Sequence, residues 1–516
     1  MIFEIKKGAV ARFLSVTVFV ALTVIGLLFS AYLLFSAHAF YMYALALCFL
    51  CLTLISGFFN IFTSYSYYRS YFYDDYLKSI KAGLKPMARF PSVAVVVPVY
   101  NEDLSIVKKN LMRLREIRYP REKLTYYILD DSTDASLRKE LKKFSKETGM
   151  HYLQRKTRKG FKAGALNNMM LHSREEFVAI FDYDEYLSNL NFLSDLLPYF
   201  QDKNLSYLQT EKKYYCSNFF SDTINLFDAF FFKFIQPSRA LNNTAIFAGS
   251  CGLIRRKYLD SIGGFPEYII EDTFFSFESD VHGYKSLYIP KAYAFGKPVK
   301  SFTELVKQQW RYNYGDTQFL MYFISRFGKK SRKDSLSPLS NLDYMAHGFG
   351  FNYISVVLIL FTMLSVFVVF TKFSLMNLSL TQIFGYVNLN IELLSIAAFS
   401  LSILGPVILT KIYFKSIRKG IMIFMLNFAL AFIRAKAAFS ALFKINLKES
   451  WQTGTDKRYG KVAYALRNSF VEIAFSSMLF LLSTVALAVD NISGGLWLLW
   501  YGILYVSTFF LFYKYG

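Results

Sequence analysis

Cysteine is scarce in this 516-residue chain. The four present, Cys48, Cys51, Cys216 and Cys251, are too few and too scattered for a disulfide framework. Cys48 and Cys51 have CxxC spacing, but they lie in an uncharged apolar run and read as packing residues. The five histidines run from His38 to His347 without ligand spacing, so nothing points to a structural zinc. No GxGxxG follows the first strand-like run and no Walker A loop occurs, which removes support for NAD-dependent and kinase-like readings. The long apolar runs hold almost no charge, which counts against a transporter, whose work needs ionisable groups within its spans.

Apolar and aromatic residues are plentiful. Hydrophobic residues make up 54% of the chain and aromatics 19%, against about 45–50% apolar in an ordinary soluble domain. The formal charge is +22. Its basic residues flank apolar runs, as in cytoplasmic loops beside membrane lipids, and not as a nucleic-acid surface would.

Six segments satisfy the rule of about 18 mostly apolar residues: Phe13–Phe35, Phe40–Phe62, Phe349–Phe370, Leu393–Thr410, Ile473–Val489 and Leu496–Tyr513. The first is too long for a signal-peptide core and reads as a retained helix. Lys6, Lys7 and Arg12 precede it, while the turn at Ala37–Ala39 has no Lys or Arg, which puts the large basic insert after the second span in the cytoplasm. The loop after the third span, with Lys372, would be external. Ile421–Ile433 is too short to cross, and crossing would expose Arg434, Lys436 and the basic residues beyond them. It is expected to be interfacial or re-entrant.

The insert alternates strand-like runs (Val93–Val97, Tyr126–Leu129, Phe177–Phe181) with helical patterns around Leu104–Ile117 and Leu137–Lys146. That order predicts a mostly parallel α/β sheet, whose ligands sit beyond the carboxyl ends of the strands. Those ends are acidic: Pro98-Val-Tyr-Asn-Glu102, Asp130-Asp-Ser-Thr-Asp134 and Asp182-Tyr-Asp-Glu185. One acidic strand end is commonly a helix cap. Three converging on one edge point to a divalent cation, Mg²⁺ or Mn²⁺. Asp182 and Asp184 reach one ion only if the chain turns there. Lys159–Asn167 adds glycines and cations before a helix, which suits a phosphate or its partner base. Glu271 and Asp272 stand where a helix begins. Ser301-Phe-Thr-Glu304 is a capping box, opening a helix on which Gln308, Arg311 and Tyr312 share a face.

The set PVYNE, DDSTD, KAGALN, DYD, GGF…IED and QQWRY, in this order, resembles the membrane-embedded family-2 glycosyltransferases, which include cellulose, chitin and hyaluronan synthases. The stretch Phe232–Arg256 is most similar to the cellulose synthase branch. The resemblance implies a GT-A, Rossmann-like domain between two N-terminal and about four C-terminal spans of a multi-pass plasma-membrane protein. The expected divisions are residues 1–64, 65–300, 301–348 and 349–516, with an interfacial segment at 414–468. It further implies that Tyr100, Glu102 and Asp130 hold the uridine of a UDP-sugar, with Lys162 near the base or phosphates. Asp182 and Asp184 take the DxD role at the metal and diphosphate. Asp272, ending the TED-like motif, is the general base, and Gln308 and Arg311 contact diphosphate and acceptor. Ile270 replaces the Thr of TED, and Tyr312 replaces the Trp of QxxRW that forms the acceptor platform, with Trp310 nearby. Trp451–Lys457 resembles a gating loop. The implied activity is inverting hexosyl transfer to a growing β-linked glycan with export through the membrane. The alternative is addition of one sugar to a lipid-linked acceptor.

Overall fold

A computed structural model describes residues 2–37, 39–216, 218–327, 336–370, 407–445 and 460–516. They belong to two compact units, Met1–Tyr68 with Val299–Tyr314 and Phe349–Gly516, and Arg69–Pro298 with Gly315–Gly348.

Two long apolar helices open the first unit: α1 (Ile2–Ser36) and α2 (Phe40–Arg69). In their apolar stretches they meet through small residues. A Cβ on Gly26 would stand 2.8 Å from a Thr53 methyl, and one on Gly57 would stand 2.6 Å from a Thr23 methyl. Ser30 and Thr53 hydroxyls bond at 3.1 Å between them. Small residues let helix backbones approach where lipid gives no hydrophobic drive for association.

The second unit carries the sheet. In chain order it runs α3 (Tyr73–Ala82), β1 (Val93–Val99), α4 (Leu104–Leu114), β2 (Leu124–Asp130), α5 (Ala135–Thr148), β3 (His151–Gln154), α6 (Phe161–His172), β4 (Phe177–Ile180) and β5 (Tyr186–Leu187). It continues with α7 (Phe192–Leu196), β6 (Leu205–Tyr214), α8 (Phe219–Phe230), α9 (Gln236–Leu241), β7 (Gly252–Arg255), α10 (Arg256–Ser261), α11 (Glu271–Val281) and β8 (Lys285–Gly296).

The eight strands lie in the order β3-β2-β1-β4-β7-β6-β8-β5. β3, β2, β1 and β4 are parallel, as the βα alternation requires. Beyond β4 that alternation lapses, and β7 pairs antiparallel with both β4 and β6. β6 and β8 are again parallel, while β5 runs antiparallel to β8, so the sheet is mixed with most of its pairings parallel, as expected. β1 shows how both faces are filled. Val93, Val95 and Val97 join the α4 and α5 side with Val107, Leu111 and Leu141. Ala94 and Val96 join the α6 side with Ala163, Leu166 and Met169. Full burial of one such valine contributes about 1.5–3 kcal/mol.

α12 (Phe302–Phe327) begins at the expected capping box. The Glu304 N–H donates to Ser301 Oγ at 3.1 Å, and the Glu304 carboxylate receives the Lys300 N–H at 2.8 Å. α13 (Pro338–Phe370) starts eleven residues before the expected span. It breaks at Gly350 (φ 44°, ψ −137°). α14 (Ile417–Ala429) and α15 (Ala431–Leu442) meet at 44°, so the stretch expected to be interfacial is a bent helix pair. α16 (Lys461–Asn468), α17 (Phe470–Ala488) and α18 (Ile492–Tyr515) complete the described chain. Ser483 Oγ donates to the Gly495 carbonyl at 2.7 Å between α17 and α18.

Among the described residues four helices are long and apolar enough to cross a membrane, or up to six if each bent pair counts as one. Most of the expected span Leu393–Thr410, the loop with Lys372, and the gating-like segment Trp451–Lys457 lie outside the described residues.

Candidate active site

The ends of β1 and β2 are tied together by one residue. Asn101 takes φ 54°, a left-handed conformation that Asn tolerates better than most residues. Its N–H donates to Ser132 Oγ at 2.9 Å and its Nδ2 to Thr133 Oγ1 at 2.9 Å. Its Oδ1 accepts the Thr133 and Asp134 N–H groups at 2.9 and 3.2 Å.

Of the acidic residues here, Asp134 is a helix cap. Its carboxylate accepts the Ser136 and Leu137 N–H groups at the start of α5. Asp130 is fully buried and receives the Ser132 N–H at 2.9 Å and the Tyr152 hydroxyl at 2.7 Å. Asp131 is paired with Arg155. Glu102 stays half-buried. Burial pushes its carboxyl up, against the Tyr183 hydroxyl and Lys297, which pull it down. The ring of Tyr100 is stacked by the Arg158 guanidinium, 3.3 Å from its centroid. A cleft of about 530 Å³ opens beside Glu102, lined by Asn101, Thr133 and Glu140 among others.

Beyond β4 the chain does turn, with the Glu185 N–H donating to the Asp182 carbonyl at 3.1 Å. The turn gathers three carboxylates and two lysines. Lys162 Nζ donates to Asp182 Oδ1 at 2.7 Å and to the Gly249 carbonyl at 3.0 Å. Lys212 Nζ lies 3.4 Å from Asp182 Oδ2 and 3.3 Å from Glu185 Oε1. Ser250 Oγ touches the same two oxygens, at 2.8 and 2.7 Å. Burial works to raise Asp182, but Lys162 and then Lys212 overcome it and hold the carboxyl well below its usual range. Asp184 is the opposite case. Burial first, then the Asp182 and Glu185 charges, push it up to about 7. Asp184 makes no ion pair among the described residues.

Asp272 begins the helix α11, as expected, and accepts the Thr273 N–H on Oδ1 at 2.8 Å. Its other oxygen faces Gly249. A Cβ on Gly249, at φ +80°, would stand 3.1 Å from Asp272 Oδ2 and 3.5 Å from Lys162 Nζ. The candidate base, the lysine and, through that lysine, Asp182 are thus assembled around one glycine.

The residues on α12 belong by position to the other unit. Gln308 Nε2 approaches the Tyr312 hydroxyl at 3.4 Å, and Arg311 is exposed with its guanidinium 5.1 Å from the Tyr312 ring. Trp310 is buried, with Lys436 Nζ 6.0 Å from its ring. Gln309 is also buried and accepts the Arg434 Nε–H at 2.9 Å.

No cluster of three or more His, Cys, Asp or Glu able to hold a metal occurs among the described residues. The paired carboxylates nevertheless fit a divalent ion. Asp184 is a carboxylate crowded by two others, which a cation would relieve, and Asp182 is beside it. Diphosphate oxygens and water would complete such an oxygen shell.

Sequence reasoning assigned no role to Lys212, Ser250 or Arg158, and Glu185 entered it only as the end of the acidic stretch Asp182-Tyr-Asp-Glu185; Lys212 stands in a Glu-Lys-Lys run that reads as solvated.

Part of the chain is similar to known proteins. Residues 94–263 match Glycosyl transferase family 2. The chain is 31% identical over 237 residues to the cellulose synthase catalytic subunit of Pseudomonas fluorescens, covering 44% of this chain and 31% of that protein. It is 30% identical over 246 residues to a putative cellulose synthase 2 of Komagataeibacter xylinus, covering 45% and 16%. The chain thus spans about a third or less of the length of these relatives. Among solved structures, a mannosyltransferase from Pyrobaculum calidifontis in complex with GDP-Man and Mn²⁺ aligns with a TM-score of 0.49 at 16% identity, covering 74% of this chain and 99% of that one.

Proposed function

We propose that this chain, which carries a cellulose-synthase-like family-2 glycosyltransferase domain at residues 94–263, is a membrane-embedded, inverting transferase. It would move a hexose from a UDP-sugar to a growing β-linked glycan on the cytoplasmic side and export the product. The observation that carries this reading is the assembly of Asp272, Lys162 and Asp182 around Gly249.

The chemistry follows from those positions. Asp272 Oδ2 takes the proton of the acceptor hydroxyl as that oxygen attacks the anomeric carbon. The bond from that carbon to the diphosphate breaks, and its electron pair leaves with UDP. One direct displacement inverts the carbon, so no second nucleophilic carboxylate is needed. Lys162 supplies positive charge beside the departing diphosphate, the main electrostatic demand of the reaction. A divalent ion at Asp182 and Asp184, when bound, would add Lewis-acid neutralisation of the same charge. Tyr100, Glu102 and Asp130 are proposed for the uridine end, and Gln308 and Arg311 for diphosphate and acceptor. Arg311→Ala tests the last assignment.

The test is UDP release by purified protein in nanodiscs with Mn²⁺ or Mg²⁺ across a panel of UDP-sugars, with product sizing. Release with one donor, lost in Asp272→Asn and yielding long polymer, supports the reading and identifies the sugar. No release with any donor, with or without lipid acceptors, refutes it.

A second reading, transfer of a single sugar to a lipid carrier, is favoured by one observation. Trp310 is buried and cannot serve as a stacking platform, which leaves only the half-buried Tyr312 in the family's Trp position. A short lipid-linked product would support it.

A further inference from the structure

Lys212 has no part in the reaction just described, yet it is among the most enclosed charges of the domain. Its side chain is 14% exposed, whereas that of the adjacent Lys213 is 49% exposed and pairs outward with Glu211 at 3.3 Å. Strand alternation on β6 thus turns one lysine of the pair inward. There Lys212 Nζ donates to the Ala248 carbonyl at 3.2 Å and bridges Asp182 Oδ2 and Glu185 Oε1 at 3.4 and 3.3 Å.

The same two carboxylate oxygens flank Ser250 Oγ at 2.8 and 2.7 Å. A hydroxyl has one proton, so it can satisfy only one of them. Two carboxylates held this close need a positive charge between them, and Lys212 is the group that bridges both. With Lys162 on Oδ1 and Lys212 near Oδ2, both oxygens of Asp182 are engaged by ammonium groups.

We propose that Lys212 is a built-in counter-ion that locks Asp182 to Glu185 and makes divalent-metal binding depend on the nucleotide diphosphate. This rests on the functional reading above. A metal ion arriving alone meets two fixed ammonium groups at short range, where repulsion is strong. A metal arriving with a diphosphate brings compensating negative charge, so the pair is accepted where the bare ion is not. Such coupling is reciprocal, and the metal must tighten the nucleotide by the same factor. Lys212 is accordingly a positioning residue and touches no reacting atom.

The experiment is Mn²⁺ titration of the full chain in nanodiscs, followed by the electron paramagnetic resonance of free Mn²⁺, with and without UDP. For the wild type, UDP should tighten Mn²⁺ at least about tenfold. Lys212→Met and Lys212→Gln should tighten Mn²⁺ binding without UDP by at least about tenfold and shrink the effect of UDP. Lys212→Arg, which keeps the charge, and Lys213→Met, on the outer face, should behave like wild type. If Lys212→Met does not fold, the Gln and Arg variants carry the comparison. Lys212 variants that bind Mn²⁺ alone no tighter than wild type, in a protein whose wild type shows the UDP effect, overturn this inference and leave the transferase reading standing. A wild type that binds no Mn²⁺ even with UDP overturns both.

Discussion

Replacing Gly249 with alanine loads the candidate active site where Asp272 and Lys162 approach one glycine. The perturbation has two parts that can be separated. Gly249 has φ +80°, and a side chain in a left-handed conformation costs roughly 1–2 kcal/mol. The new Cβ would also stand 3.1 Å from Asp272 Oδ2 and 3.5 Å from Lys162 Nζ. Non-bonded carbon contacts prefer about 3.5–4.0 Å, so the carboxylate must retreat by several tenths of an ångström. Misplacing a reacting group by up to about 1 Å can cost on the order of 10²-fold in rate. Gly149 supplies the control. It has φ +68° at the end of α5, and a Cβ there meets nothing within 4 Å. Both Gly249→Ala and Gly149→Ala should therefore lose about 1–2 kcal/mol of stability, read from thermal unfolding. Only Gly249→Ala should lose kcat, by about 10- to 100-fold, with UDP affinity changed only a few-fold. Equal kcat in the two variants would refute the assembly of Asp272 and Lys162 around this glycine.

Three further outcomes follow from the same coordinates. Asp184, raised to about 7 from an unfolded value near 3.9, is protonated in the folded protein where the unfolded chain is not. Its contribution to stability is present at acid pH and lost as pH rises through about 7; because a proton competes with a cation, Mn²⁺ binding in the presence of UDP should weaken as pH falls through the same value, and Asp184→Asn should flatten that profile in a calorimetric titration. Gln309→Leu removes the acceptor of the buried Arg434 Nε–H, while Arg434 Nη1 still donates to Asn427 Oδ1 at 3.2 Å. Losing a hydrogen bond to a charged group costs about 1.5–3 kcal/mol, and a lower unfolding temperature in detergent, rescued by the double variant Gln309→Leu with Arg434→Met, checks it. Asp134→Ala deletes the α5 cap and should destabilise by about 0.5–2 kcal/mol, whereas Asp131→Ala, which removes the carboxylate paired with Arg155 and leaves that guanidinium on the Lys159 and Phe161 carbonyls, should cost more; thermal unfolding of both variants decides the order.

The parts of this domain that local chemistry dictates were legible in the sequence. β1, β2 and β4 follow from apolar runs that end in acidic residues, and the start of α12 follows from Ser301 and Glu304, whose hydrogen bonds are local. The turn that brings Asp182 and Asp184 together was foreseeable as a condition, because strand alternation alone would separate them. What stayed hidden depends on distant pairing. Lys212 reaches Asp182 because β7 lies between β4 and β6 with reversed direction, and nothing in Glu211-Lys212-Lys213 distinguishes the inward lysine from the outward one. Asp134, the last acidic residue of the stretch after β2, is a cap, and a carboxylate just before a helix serves a cap and a ligand site equally well. The break at Gly350 was equally silent, since an apolar run fixes how much chain is buried and not whether it is straight.

The clasp made by Asn101 bears on how a chain with the proposed activity can be re-engineered. Because one residue, through its backbone N–H and its side-chain amide, holds the loop after β1 to the loop after β2 with four hydrogen bonds, the two loops are a single transplantable cassette. A donor-specificity swap that grafts 99–103 without 131–134 would import half of a matched pair and lose the fit of both. Libraries that recombine the two segments together should yield active chimeras far more often than libraries that shuffle them apart.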